Sequence, residues 1–325
     1  MNELSKETKK KEMLQDILEY FGIGLVAIFL FVLFSALSNN FFTPENIFNI
    51  FKQVSIIAVL SIGMTFVFLI GGMDLSAGSN VMLGAVVVAV LLESGEIPAV
   101  AAMAVAIIVC LFMGIINGIL IEVMGINCVI VTLGSQLAIR GLALVIIKNY
   151  NSWIWVKDSL MKSINTGTFL KIPILFWIVL VLYCIAWIVL NRTAYGRKVY
   201  AVGGNERTAR LCGFDTVKVK VLCYMISGLT AGIAGIIAAA RLGMVSTTVG
   251  VGMEFEAVTA VVLGGASLKG GEGNVLKTLI GAVIVGMIAN FMTLFGVDAN
   301  YQSAVTGGFI LFAAIFNRMT QRSVA

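Results

Sequence analysis

The sequence predicts an all-α polytopic membrane protein of about ten transmembrane helices, some short or broken, with both termini cytoplasmic. Three observations carry that expectation. Hydrophobic residues make up 59% of the 325-residue chain and charged residues only 12%, against about 25% charged in soluble proteins. Apolar runs recur along the whole length between short polar turns. The net charge of +5 gathers in the N-terminal tail and a few loops, the pattern that orients membrane chains and not the basic face of a nucleic-acid binder. No nucleic-acid partner is therefore expected.

The chain has no histidine, which removes His-ligated metals and a His general base. Cys110, Cys128, Cys184, Cys212 and Cys223 form no CxxC pair, so no zinc ribbon or dithiol motif is present. Neither an enzyme nor a cofactor is expected.

Residues 1–20 are expected to form a cytoplasmic tail with Lys6, Lys9, Lys10 and Lys11, and Leu14, Ile17, Leu18 and Phe21 at helical spacing suit either a short helix on the membrane surface or a solvated tail. The apolar run Phe21–Leu37 reads as a retained signal-anchor and the first span. Pro44 starts the next helix, with Phe41 and Phe42 at headgroup depth, and spans follow at about 54–70, 81–92, 99–121 and 128–147. The external loop 148–171 holds Trp153 and Trp155 as interface anchors. The sixth span is 172–190; later ones lie at about 221–240, 255–265, 275–295 and 303–316, the eighth short enough to be broken or re-entrant.

Between the sixth and seventh spans runs a basic loop, 191–220, containing Arg192, Arg197, Lys198, Arg207, Arg210, Lys218 and Lys220. Each cation would cost roughly 2.5–3.5 kcal/mol at a bilayer centre, so the loop faces water, and the Lys/Arg bias makes that water cytoplasmic. Counting Lys269, Lys277, Arg318 and Arg322 inside and Lys52, Lys148, Lys157, Lys162 and Lys171 outside supports the same orientation. Within the loop, Asn205, Glu206, Arg207, Thr208, Ala209, Arg210 and Leu211 form a short helix, capped by Asn205 and ended by Gly213, suited to docking in a partner's groove.

LIGGMDLSAG at 69–78 and VLGGASLKGG at 262–271 echo one another, and both copies face the cytoplasm in this topology, as a parallel repeat would. Their paired glycines, Gly71 with Gly72 and Gly264 with Gly265, are candidate gate residues. GEGNVLKT lacks the Gly that a phosphate-binding loop needs before its Lys, because Leu276 stands there.

Asp74 is a carboxylate in an apolar region, hence a functional candidate, and equally a candidate cap for the following helix; the two roles are compatible. Arg140 must snorkel, pair or line water. Asn117, Gln136, Asn274 and Asn290 can bond a polyhydroxy solute, though interhelical bonding is the commoner use of such residues. Glu254 and Glu256 read as solvated residues at the outer entrance of the eighth span.

Five stretches resemble the membrane permeases of ribose-type carbohydrate ABC importers, a family related to branched-chain amino acid permeases. They are NNFFTPENIFNIFKQ at 39–53, GMTFVFLIGGMDLSAGS at 63–79, TLGSQLAIRGLALV at 132–145, RTAYGRKVYAVGGNERTARLCGF at 192–214 and EAVTAVVLGGASLKGGEGNVLKTLIGA at 256–282. Ala77, Lys277, Gln136 and Ile139 depart from the usual pattern. The resemblance implies a single permease domain, 21–325, working as a homodimer, or as a heterodimer with a related permease, in a bacterial cytoplasmic membrane. Its partners would be an extracytoplasmic sugar-binding protein and a separate cytoplasmic ATPase, and residues 205–211 would be the coupling helix. Asp74, Asn117, Gln136, Arg140 and Asn290 are the candidate pathway residues. The alternative is an ion-coupled secondary transporter of a small polar solute.

Overall fold

The computed structural model describes residues 22–298 together with 301, 302, 304, 305, 307 and 308. The expected surface helix in 1–20, the last span at 303–316 for the most part, and both chain ends lie outside the described residues. Every earlier expected span coincides with a helix. These are α1 (Gly22–Leu37), α2 (Pro44–Leu69), α3 (Ala77–Glu93), α4 (Ala99–Glu122), α5 (Cys128–Lys148), α7 (Ile174–Arg192), α10 (Thr216–Leu242), α11 (Met253–Leu263) and α12 (Val275–Leu294). Six of them, α2, α4, α5, α7, α10 and α12, are long and apolar enough to cross a membrane. The chain is a helical, multi-pass membrane protein.

Local chemistry accounts for several helix starts. Pro44 opens α2 while the Thr43 side chain accepts from Asn46 N–H. Asn127 caps α5, and Asn274 caps α12 by accepting from Leu276 N–H at 2.8 Å. The GEGNVLKT stretch is thus the entry turn of a membrane helix.

Helices α2 and α10 form the centre. In its most apolar stretch α2 is 83% buried and α10 67%, against 22% for α4 and 28% each for α5 and α7, which leave wide apolar faces for lipid or a partner. Helix α10 packs on α4, α2 and α3, and α12 on α2 and α11. The α4–α10 contact is a backbone seam: Gly114 meets Gly228, and Gly118 meets Val221, with no room for a Cβ at the crossing.

One expectation changes here. Phe41 does not face outward as an interface aromatic would: it is fully buried, packed on Phe31, Phe34 and Phe291 at ring distances of 5.8, 5.5 and 6.1 Å. Burial of this ring follows from the buried Asn46 amide, which donates to Phe41 C=O at 2.9 Å and folds 41–46 inward; Phe42, 67% exposed, keeps the outer position. The loop 148–171 carries secondary structure of its own. Strand β1 (Trp153–Trp155) pairs antiparallel with β4 (Met244–Ser246), followed by α6 (Ser159–Thr166), capped by Asp158, and a small β2–β3 pair (Thr168–Phe169 with Ile172–Pro173). Trp153 and Trp155 still turn outward, more than half exposed.

The basic loop is two helices, α8 (Ala194–Gly204) and α9 (Glu206–Leu211). Asn205 caps α9 by accepting from Thr208 N–H at 2.9 Å, and Gly213 leaves it at φ 83°, a conformation that favours glycine.

Candidate functional site

The chain between α2 and α3 is not helical. It leaves α2 through Gly71 at φ 73°, runs back among the helices as Gly72, Met73 and Asp74, and re-enters a helix at Ala77. Non-helical backbone buried among membrane helices needs partners inside the protein, and Asp74 supplies them. Its Oδ1 accepts from Ser76 N–H at 3.0 Å and from Ser76 Oγ at 2.6 Å. Its Oδ2 accepts from Ser227 Oγ at 2.6 Å. Ser227 lies well inside α10, roughly 16 Å from its first residue at 1.5 Å per residue, so this carboxylate is deep in the protein.

From Ser76 the network continues outward. Asn117 Nδ2 on α4 donates to Ser76 Oγ at 2.9 Å, and Ser135 Oγ on α5 donates to Asn117 Oδ1. One turn of α5 holds the next contacts. Gln136 Nε2 donates to Glu254 Oε1 of α11 at 2.8 Å, and the Arg140 guanidinium donates to Thr247 C=O at 2.9 Å.

Of the five expected pathway residues, Asp74 and Asn117 therefore share one bonded network that reaches α5 at Ser135, while Gln136 and Arg140 make separate contacts from the same helix. Asn290 does not share those bonds. It forms a reciprocal amide pair with Asn46, both bonds 3.0 Å, which pins α12 to the start of α2. Both its amide atoms are committed to the bundle.

Glu254 corrects the sequence reading. It is buried, not solvated, with 3% of its surface exposed. Its Oε1 takes the Gln136 bond, while Oε2 lies against Gly78 and has no hydrogen-bond partner among the described residues. An acidic pair at a helix start reads as solvated; only the fold shows that α11 turns Glu254 toward α5. Ser76, Ser135 and Ser227 were missed as well, because nothing local separates them from ordinary helix serines.

The two glycine motifs meet at the end of the bundle that carries α8. Gly271 N–H donates to Leu69 C=O at 2.8 Å. Gly203 of α8 packs between the same carbonyl and Gly271, and Tyr200 Oη donates to Gly273 C=O at 3.0 Å. Gly72 lies under the Tyr224 hydroxyl, Gly264 against the Thr278 backbone, and Gly265 turns at φ 81°. Both motifs and the basic loop thus share one end. On α9, Arg207 is exposed, and Glu206 is held below the usual carboxylate range by its bond from Lys220.

No group of three or more His, Cys, Asp or Glu among the described residues could hold a metal ion. The polar groups of this set, including Asp74, Ser76, Asn117 and Glu254, are buried, and their hydrogen bonds are made within the protein.

Residues 46–314 match the family described as branched-chain amino acid transport system / permease component. The chain belongs to that family. The ribose import permease protein RbsC of Escherichia coli (strain K12) is 38% identical over 301 residues, covering 92% of this chain and 94% of that one. The D-allose transport system permease protein AlsC of the same strain is 32% identical over 303 residues, 93% of this chain and 92% of its own. The L-arabinose ABC transporter permease protein AraH of Azospirillum brasilense is 33% identical over 298 residues, 91% of this chain and 87% of its own. No solved structure matches. Membership in this permease family makes the chain a transporter subunit, and the match spans the glycine motifs, α5, α8 and α9 alike.

Proposed function

We propose that this permease forms the translocation pathway of an ATP-driven importer for ribose or a related monosaccharide in a bacterial cytoplasmic membrane. The reading has a cytoplasmic tail, 1–20, ahead of one permease domain, 21–325, with ten spans and both ends inside. A second permease copy completes the pathway, an extracytoplasmic binding protein delivers the sugar, and a separate ATPase drives transport. End-to-end similarity to permeases named for ribose, allose and arabinose supports the solute class.

The observation that carries the mechanism is α9. It is a six-residue, Asn-capped helix with Arg207 exposed, standing on the end of the bundle where the glycine motifs meet. A short helix seated in a groove of the ATPase transmits its closure to the membrane by rigid contact. Gly71, Gly72, Gly264 and Gly265 then form the inner gate, and Asp74, Asn117, Gln136, Arg140 and the newly placed Glu254 line or brace the path. Weak contacts suffice along it, since tight binding would hinder release.

Arg207→Glu is expected to leave membrane insertion intact and to abolish sugar-stimulated ATP hydrolysis by the reconstituted complex. A mutant complex with normal stimulation would refute the assignment of α9.

A further inference from the structure

The short helix α9 has little of its own to hold it in place. Six residues are too few for a stable helix in water, and Ala209 is its one buried residue. Its fixture is electrostatic. Lys220, in the first turns of α10, places Nζ 2.7 Å from Glu206 Oε2 at the start of α9 and 3.2 Å from Glu122 Oε2 at the last residue of α4. The Lys220 and Glu122 side chains are only 14% and 12% exposed. The other Glu206 oxygen is also taken: Arg210 donates to Oε1 at 2.9 Å and Thr216 Oγ1 at 3.3 Å.

An exposed ion pair contributes little, and a buried one seldom stabilises more than apolar side chains of equal volume would. A mostly buried lysine shared by carboxylates on two other elements is better explained by geometry, because it fixes the direction in which α9 meets α4 and α10. Those two helices are the pair joined by the glycine seam. They carry Asn117 and Ser227, the residues that hold Ser76 and Asp74 at the break before α3.

We propose that Lys220 is a positioning residue for transport: by tying α9 to the ends of α4 and α10, it makes displacement of α9 move the Asp74 break instead of swinging α9 alone. This rests on the reading of α9 as the ATPase contact. Without the tie, α9 still docks but yields under load, so ATP is hydrolysed with little transport.

The test uses the complete complex, permease with its ATPase and binding protein, in lipid vesicles with D-ribose as probe, and reads ribose imported per ATP hydrolysed. Lys220→Met is expected to lower that ratio about tenfold, within the range of ordinary coupling energies, while the ATPase still copurifies. Lys220→Arg retains the charge and is expected to restore most of the ratio. Glu122→Gln, which leaves the Glu206 contact in place, is expected to lower it by about threefold, and adding it to Lys220→Met should lower it no further. If Lys220→Met fails to accumulate, the Glu122→Gln ratio decides. A wild-type ratio in either variant overturns the tie while leaving the importer reading intact. A wild-type complex whose ATP hydrolysis ignores ribose-loaded binding protein overturns both.

Discussion

Gly228→Val is expected to prevent accumulation of folded permease. A Cβ at this position would meet Cys110 C=O and come within 3.0 Å of Gly114 N and 3.1 Å of Gly114 Cα. These neighbours are backbone atoms of α4, which cannot turn aside as a side chain can. Relief requires the two helices to separate, and that would also pull on the Asn117–Ser76 and Asp74–Ser227 bonds. Overpacking in a rigid core costs about 1–3 kcal/mol or more, and here the lost buried hydrogen bonds add to it. Thermal unfolding in detergent checks the effect: the order of stability should be wild type, then Gly228→Ala, then Gly228→Val. Equal stability of valine and wild type would mean that the seam is not close-packed.

Asp74→Ala is expected to have a comparable effect by a different route. The change leaves Ser76 N–H, Ser76 Oγ and Ser227 Oγ without their acceptor. Each buried donor deprived of its partner costs about 1–3 kcal/mol, and the non-helical stretch before α3 loses the group that closes it. Asp74→Asn retains one acceptor oxygen and offers an amide that a serine oxygen can accept. It is expected to recover folding and part of transport where alanine recovers neither. Sugar uptake per correctly inserted molecule, with stability measured in parallel, separates the two. An alanine variant as stable and active as wild type would remove Asp74 from both the structural and the transport account.

What could be read from the residues alone was what neighbouring residues decide. Pro44 starts α2, Asn205 and Gly213 bound α9, and the apolar runs place the helices, because capping and hydropathy act over a few residues. Asp74 was expected as a cap of the following helix; it bonds Ser76 N–H, two residues away, but Ser76 and not Asp74 holds the N-cap position of α3. The other partner of Asp74, Ser227, is 153 positions distant and left no mark in the sequence. Glu254 shows the limit most clearly. Beside Glu256 at a helix start it has the local pattern of a solvated acid, and only the approach of α5, with Gln136 at 118 positions' remove, makes it a buried acceptor. Phe41, α8 and the β1–β4 pair were misplaced or missed because burial and strand pairing depend on which distant segment lies opposite.

Uptake by purified complex in sealed vesicles is the most direct test of the central claim, that this bundle is moved by an ATPase through α9. Labelled D-ribose is supplied with its binding protein, while ATP and ion gradients are varied independently. Accumulation that requires ATP and the binding protein and is indifferent to ionophores is the predicted result. Accumulation that continues without ATP and collapses with an ion gradient would contradict it.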